Sequence, residues 1–239
     1  MINMPTGAGK TRTAMECLVD FWRSNKKNNS FIIWFAKSDE LCNQALETLE
    51  KIWENKGDSD LKVYKLWGEH FPKSIEEGGF VITSFGKIYS LMKSPSNLKF
   101  DVIAKIKRNS SLVVVDEAHQ TIAPTYKDAI DYLVNSKKCK IIGLTATPGR
   151  GWDVEQNKIL SDYYDNKIIE ITDEKNNPIN EPVRYLQDQG YLSKVETDPL
   201  KINNEIQLSE NEINKLKQGF DFSEATIQKI ENNEIRNLL

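Results

Sequence analysis

The chain has 239 residues, 39% hydrophobic and 28% charged, which is enough to bury the core of one large domain with an appendage. No stretch is apolar for long enough to span a bilayer, and the N-terminus lacks the charged, apolar and small-residue order of a signal peptide, so we expect a cytoplasmic protein without a membrane partner. The net charge of −3 conceals an asymmetry, with 22 basic and 17 acidic residues in 1–150 but 10 and 18 in 151–239. The basic part is compatible with contacts to a nucleic-acid backbone, and equally with an ordinary solvated surface.

The three cysteines (Cys17, Cys42 and Cys139) are far apart, and none pairs with a histidine at zinc-site spacing. Because each lies in or beside an apolar pattern, we predict buried, reduced thiols.

The first motif, Met4–Thr11, has the composition of a phosphate-binding loop that opens onto a helix. A loop can hold a triphosphate only if its backbone N–H groups turn inward, and Gly7 and Gly9 permit the left-handed angles that this path needs. Lys10 would place its ammonium group against the outer phosphates, and Thr11 would offer its hydroxyl group to Mg²⁺. The general pattern has a further glycine where this chain has methionine. We therefore predict a nucleotide site at Thr6, Gly7, Ala8, Gly9, Lys10 and Thr11.

The next elements are predicted to be a helix over Thr11–Arg23 and a buried strand over Phe31–Ala36. Lys37 and Ser38 follow that strand, and Ser38 is suited to cap a helix over 39–56. These two residues are candidates for contacts with nucleic-acid phosphates. The alternative is a plain capping serine beside a solvated lysine.

Two more strands are predicted, over Leu61–Trp67 and Phe80–Phe85. Thr83 and Ser84 end the second strand and are weaker candidates than Lys37 for nucleic-acid contacts, because strand ends often carry hydroxyl residues. Strands that alternate with helices, joined by crossovers of ten residues or more, predict a parallel, doubly wound α/β sheet.

The second motif is Asp116-Glu117, directly after the apolar run Ser111–Val115, which reads as a strand buried on both faces. Asp116 is suited to hold Mg²⁺, largely through water, because that ion prefers oxygen ligands. Glu117 can accept a proton from an attacking water. An acidic pair after a strand is by itself a common solvated turn, and it becomes informative only beside a phosphate loop.

The third motif, Thr145-Ala146-Thr147, follows another apolar run, and its hydroxyl groups can bond to a carboxylate or a ligand. Before this motif we predict a helix over 125–135. After it we predict a flexible stretch from Arg150 and a last strand over 167–171. A short helix over 182–192, capped by Gly190, and weakly amphipathic helices after 201 are predicted to follow.

In this order and at these separations, the three motifs resemble motifs I, II and III of superfamily 2 DEAD/DEAH-box helicases, over about residues 1–195. The resemblance is closest to the branch that includes the motor subunits of type I and type III restriction enzymes. It implies a RecA-like (P-loop NTPase) lobe with helices on both faces of the sheet, which binds ATP and Mg²⁺. Lys10, Asp116 and Glu117 would then be catalytic, with Thr11 and Asp116 as metal ligands.

The resemblance also implies contacts with nucleic acid, and the branch resembled favours DNA over RNA. Thr145 and Thr147 would couple nucleotide state to nucleic acid, and His119 and Gln120 would face the cleft between two motor lobes. The second RecA-like lobe, supplied in cis or in trans, is not recognisable here. The upstream region that reads adenine in this family is not recognisable either, so we expect an N-terminally truncated lobe.

We therefore expect an ATP-binding lobe over 1–172, followed by a helical exit segment over 173–239 that leads toward the second lobe. The leading hypothesis is an ATP-dependent helicase or translocase whose lobe alone hydrolyses ATP weakly. An alternative is a nucleotide-dependent protein-interaction switch, in which the acidic tail docks a partner and no strand is moved. A kinase is disfavoured because Asp116-Glu117 supplies a base for water.

Overall fold

The computed structural model describes residues 1–25, 29–93, 97–134, 139–147 and 154–194. Its strands are β1 (Ile2–Asn3), β2 (Phe31–Ala36), β3 (Val63–Leu66), β4 (Gly79–Ser84), β5 (Ser110–Asp116) and β6 (Lys140–Thr145). They form one sheet in the order β1-β6-β5-β2-β4-β3, and every pairing is parallel. The C-terminal ends of all six strands therefore meet at one edge, where ligands bind in sheets of this kind.

The helices are α1 (Lys10–Asn25), α2 (Asp39–Lys56), α3 (Phe85–Lys93), α4 (Asn97–Asn109), α5 (Pro124–Leu133), α6 (Val154–Tyr163) and α7 (Pro182–Asp188). Alternate residues of β2 face opposite sides of the sheet. Ile32 and Trp34 pack in one core with α1 and α2, whereas Ile33 and Phe35 pack in a second core with α3, α4 and α5. The predicted parallel sheet with helices on both faces is confirmed.

The predicted last strand over 167–171 is wrong. Ile169 makes only an isolated parallel bridge to Ile2, with hydrogen bonds from Asn3 N to Ile169 O (2.8 Å) and from Ile169 N to Met1 O (2.8 Å). The physical reason is that β1 is two residues long and offers no further ladder to pair with. The prediction of a buried Cys17 is also wrong, because its position on α1 faces solvent, whereas Cys42 and Cys139 are buried.

The compact unit of the fold runs from Met1 to Ser193 and includes the segment 173–193. The short helix predicted near Gly190 is α7, and Gly190 follows it with a left-handed φ of 76°. The stretch 148–153 and the predicted helices after 201 lie outside the described residues. Among the helices that the structure describes, none is long and apolar enough to cross a membrane.

Candidate nucleotide and nucleic-acid site

The phosphate loop connects β1 directly to the first turn of α1. Gly7 and Gly9 have φ angles of 79° and 82°, the left-handed conformation that the sequence predicted for both. The loop is held at its start by a hydrogen bond from Met4 N to the carbonyl of Thr145 (3.0 Å). The backbone N–H groups at the start of α1 have no carbonyl partners within the helix, so the loop and the helix N-terminus together form an anion-binding arrangement.

Lys10 begins α1 and lies between the loop and the acidic motif. Its ammonium group is 3.4 Å from the carbonyl oxygen of Pro5. Its charge also acts on Asp116, where it opposes the larger effect of burial, which raises the pKa. Lys10 is therefore placed to neutralise negative charge on either a phosphate or the buried carboxylate.

Asp116 ends β5 and is buried. Its pKa is raised from 3.8 to about 6, chiefly by burial, and the neighbouring charge of Glu117 contributes in the same direction. A hydrogen bond from Glu117 N to Asp116 Oδ1 (3.0 Å) and the charge of Lys10 act in the opposite direction. Ionising a buried carboxyl group costs free energy when no cation is near. A divalent cation bound beside it lowers that cost, because the cation stabilises the charged form.

Glu117 occupies a left-handed backbone conformation (φ 53°, ψ 53°), which is uncommon for a residue with a side chain. This turn separates the directions of the two acidic side chains. Glu117 Oε2 lies 3.3 Å from His119 Nδ1, and the same nitrogen lies 3.4 Å from Thr145 Oγ1. The second and third motifs are thus joined through one histidine ring.

Thr145 ends β6 and is fully buried. Its hydroxyl group donates to the carbonyl of Thr147 (2.9 Å) and accepts from Thr147 N (3.1 Å), which folds the motif into a tight turn. Gln120 lies beside this network, half-buried, and its N–H group donates to the carbonyl of Glu117 (2.9 Å).

The predicted nucleic-acid contacts separate into two groups. Lys37 and Ser38 are exposed after β2, and Ser38 Oγ accepts from Leu41 N (3.3 Å), which confirms it as a helix cap. Thr83 is fully buried, and its hydroxyl group donates to the carbonyl of Leu66 (2.8 Å). Ser84 is buried and caps α3 by accepting from Lys87 N (3.3 Å). The hydroxyl groups of Thr83 and Ser84 are therefore occupied within the lobe.

Oxygen donors suited to Mg²⁺ are present in Thr11 and Asp116. Within the described ranges, no group of three or more His, Cys, Asp or Glu side chains could hold a metal ion by itself. This donor set fits Mg²⁺, which keeps much of its water and is completed by phosphate oxygens. In such a site Mg²⁺ would neutralise the charge on the phosphates.

A cavity of about 380 Å³ lies beside the phosphate loop and was not predicted from the sequence. Pro5 and Thr6 of the loop line it, and so does the segment from Glu170 to Val183. Ala146 and Thr147 of the third motif also line the cavity, whereas the residues of the segment from Glu170 to Val183 belong to no recognisable motif. The bridge between Ile2 and Ile169 helps to bring that segment next to the loop.

Comparisons with known proteins agree with this geometry. The family model described as "Type III restriction enzyme, res subunit" matches residues 1–150. "Putative helicase 22" of Sulfolobus islandicus filamentous virus is 28% identical over 210 residues, which cover 87% of this chain and 34% of that protein. "Putative ATP-dependent helicase IRC3" of Saccharomyces cerevisiae is 27% identical over 186 residues, which cover 73% of this chain and 24% of that protein. This chain thus spans about a third or less of these relatives.

Solved structures show the same fold. The helicase domain of Pyrococcus furiosus Hef has a TM-score of 0.55 and 22% identity, covering 72% of this chain and 35% of that one. Saccharomyces cerevisiae Dbp5 bound to RNA and ADP BeF3 has a TM-score of 0.54 and 18% identity, covering 74% and 42%. The lobe therefore has the RecA-like fold of these structures. With its family model matched over residues 1–150, the chain belongs to the family of the type III restriction enzyme res subunit.

Proposed function

We propose that this chain is the ATP-binding lobe of a nucleic-acid helicase or translocase that acts on DNA and hydrolyses ATP with water. One observation carries the proposal: the glycine loop, Asp116 and Glu117 meet at the C-terminal edge of one parallel sheet. Phosphoryl transfer to water needs a phosphate cradle, a metal-binding carboxylate and a base that positions the water.

Each residue has a distinct role in this mechanism. The backbone of Thr6–Gly9 and the start of α1 hold the phosphates, and Lys10 neutralises the outer ones. Thr11 and Asp116 hold Mg²⁺. Glu117 accepts the proton of the attacking water, with His119 fixing its carboxylate at 3.3 Å.

The contacts from Glu117 through His119 to Thr145 are suited to couple the state of the nucleotide to the binding of nucleic acid. A change in the position of the γ-phosphate or of the water would act on Glu117, and the histidine would pass the displacement to the turn of Thr145 and Thr147. We assign the nucleic-acid side of this coupling to Thr147, His119 and Gln120, with Lys37 as an exposed cation at the same sheet edge. Thr83 and Ser84 are left out because their hydroxyl groups are occupied.

Two further parts of the proposal rest on the family. DNA is preferred because of the restriction-enzyme branch, although one structural neighbour is described as bound to RNA. A second RecA-like lobe, in cis or in trans, would supply an arginine to the transition state, which contributes about 10³ to 10⁵ in rate in related enzymes. The 239-residue chain should therefore bind ATP better than it hydrolyses it.

The test is to measure Mg-ATP binding and steady-state hydrolysis with and without single-stranded DNA, double-stranded DNA and RNA. Lys10→Ala should abolish binding, because the phosphates lose their main cation. Glu117→Gln should bind ATP within about threefold of wild type and lose hydrolysis by about 10² or more, the usual contribution of a general base.

Lys140→Ala is the matched control, because Lys140 is exposed at the opposite, N-terminal end of β6. Unchanged ATP affinity in Lys10→Ala would reject the loop assignment. Hydrolysis that no nucleic acid stimulates, even with a second lobe added, would favour the protein-interaction switch over the motor.

A further inference from the structure

Strand β3 ends the sheet at the edge opposite β1, the strand that leads into the phosphate loop, and no other strand of the described chain pairs with its outer side. Phe80 N donates to the carbonyl of Lys62 (2.9 Å), so the backbone of Lys62 points toward β4. Since the backbone groups of successive strand residues point to opposite sides, those of Val63 and Lys65 point away from the sheet. They form an open edge to which another strand can be added.

A groove of about 510 Å³ lies beside this edge, between α2 and the segment that leads into β3. Its apolar lining comes from Leu49 and Trp53 of α2 and from Leu61 and Val63. Trp53 Nε1 donates to the carbonyl of Ser59 (3.1 Å), which holds the indole ring against the entry to β3. An apolar groove that continues an open strand edge can accept alternate side chains of an added strand.

The same groove has an acidic rim. Glu50 and Glu54 contribute to it from α2 and Asp60 from the segment before β3, and all three residues are exposed. In the part of the chain that the structure describes, none of the three carboxylates forms an ion pair or a side-chain hydrogen bond. The groove therefore carries negative charge that no described cation of the lobe neutralises, and it favours an occupant that brings a positive charge.

Lys65 indicates which occupant fits. It lies on the same face of β3 as Val63, which packs against the core formed with α1 and α2, because strand residues two apart share a face. Lys65 is exposed and would repel a basic strand from an unrelated protein. A second copy of the chain, with its β3 antiparallel and a two-fold axis at Tyr64, instead places its Lys65 opposite Val63, on the face that carries the acidic groove.

We propose that two copies of this chain associate through β3, which joins their two sheets into one. In this pairing Val63 of each copy exchanges two backbone hydrogen bonds with Lys65 of the other. Each Lys65 ammonium group then lies at the acidic rim of the other copy, beside Glu50 and Glu54. Every contact is made twice, as two-fold symmetry requires. The association goes beyond the proposed function and does not depend on it, because the phosphate loop lies at the other end of the sheet.

Analytical ultracentrifugation of the 239-residue chain at several concentrations tests the proposal. We expect a monomer–dimer equilibrium with a Kd of about 1–100 µM, because a short strand pair and two small grooves bury only the area of a transient complex. Amide hydrogen exchange at Val63 and Lys65 should slow as the dimer forms, since their N–H groups become hydrogen-bonded. A chain that stays monomeric up to about 0.5 mM, or a dimer in which exchange at these two residues is unchanged, would reject the proposal.

Charge reversal tests the contact between Lys65 and the acidic rim. Lys65→Glu should weaken the dimer by about tenfold or more, because like charges then meet at both symmetric contacts. The double variant Glu50→Lys with Glu54→Lys should weaken it for the same reason. An equimolar mixture of the two variants should form a dimer within about threefold of the wild-type Kd, because the reversed charges then face each other with opposite sign.

The matched control is Lys51→Glu, which changes the net charge as Lys65→Glu does. Lys51 is exposed in a different groove, between α1 and α2, so this variant should leave the Kd unchanged. If Lys51→Glu and Lys65→Glu weaken the dimer equally, or if the mixture of reversed variants stays monomeric, the proposed pairing is rejected. Lysine on an edge strand can also prevent pairing. A wild type that stays monomeric while Lys65→Val associates would assign Lys65 that protective role and overturn the proposal.

Discussion

Asp116 must be ionised to hold Mg²⁺ in the proposed function, but its ionisation lowers the stability of the folded lobe. It is buried at the end of β5, and the removal of water raises its pKa to about 6. The unfolded chain would ionise it near 3.8. The folded state therefore holds this proton more tightly than the unfolded state, and the bare lobe loses stability when the carboxyl group ionises.

The sign of this effect leads to a pH-dependent prediction. The favourable contribution of protonated Asp116 is complete below about pH 3.8 and is lost as the pH rises through about 6. Asp116→Asn cannot ionise, so without Mg²⁺ and nucleotide it should be more stable than wild type above pH 7, by about 1–3 kcal/mol. This difference should vanish near pH 4, in urea unfolding followed at several pH values.

Asp128→Asn, at an exposed position of α5, serves as the control and should follow the wild type at every pH. A constant gap between Asp116→Asn and wild type across the pH range would show that the effect comes from packing and not from ionisation. A variant less stable than wild type at pH 7.5 would contradict the account of Asp116 as a costly buried charge.

Lys37 is the residue on which the proposed DNA contact can be tested most directly. It is exposed at the sheet edge that carries the nucleotide motifs, next to the N-terminus of α2. Lys37→Ala should weaken DNA binding without sequence preference and reduce the slope of log K against log salt by about 1, because one phosphate contact is lost. Lys140→Ala should leave affinity and slope unchanged, and equal losses in both variants would reject a specific contact at Lys37.

At the scale of elements, a single glycine of β6 allows the turn after β5 to pack closely against that strand. A Cβ atom added to Gly143 would lie 2.6 Å from Ala118 Cβ and 2.6 Å from Tyr164 Cζ. Tyr164 is itself fixed, because its buried hydroxyl group lies 2.8 Å from Thr121 Oγ1. The second motif and the residues after α6 thus converge on β6 only because it has no side chain at this point.

Gly143→Ala should therefore destabilise the lobe by about 1–3 kcal/mol, the usual cost of overpacking a core. It should also reduce hydrolysis more than ATP affinity, because Ala118 moves with Glu117 while the phosphate loop stays in place. The matched control is Gly86→Ala in α3, where an added Cβ meets no atom within 4 Å. That change should stabilise the lobe slightly, by about 0.5–1 kcal/mol.

Thermal and urea unfolding of both alanine variants would test this difference. Equal stability in Gly143→Ala and wild type would mean that Ala118 and Tyr164 yield without cost. In that case the glycine would have no role in positioning the acidic motif.

The elements that the sequence predicted well are those whose pattern is local. Strand β2 is a continuous apolar run, β5 contains the apolar run 112–115, and Ser38 caps α2 as its position indicated. The glycine angles at Gly7 and Gly9 followed from the loop motif alone. Features that depend on distant partners were not predictable: the failed strand near Ile169 depends on the length of β1, and the cavity lined by Glu170 depends on that same bridge. Helix α3 was missed because it starts directly after β4, with no intervening turn to mark the change of period.

At the scale of the molecule, the boundary of the lobe decides which residues support the nucleotide site. The compact unit continues to Ser193, beyond the boundary at residue 172 that was expected after the predicted last strand. Thr172 bridges Pro178, Leu186 of α7 is buried, and Leu192 lies next to the phosphate loop, 3.2 Å from where a Cβ of Gly7 would be. The segment 173–193 thus closes the lobe against its own phosphate loop.

We therefore expect a fragment of residues 1–193 to unfold in one transition, with the same midpoint temperature as the lobe has in the full chain. A fragment of residues 1–172 should have a midpoint at least about 4 °C lower. The loss of one buried leucine alone costs about 2 kcal/mol or more. A loss of about 1 kcal/mol lowers the midpoint by about 2–4 °C in a domain of this size. Circular dichroism melts would give the midpoints, and Leu186→Ala in residues 1–193 should account for part of the difference. If residues 1–172 melted at the same temperature and bound Mg-ATP with unchanged affinity, the segment after Thr172 would not stabilise the lobe, and the boundary at Ser193 would be rejected.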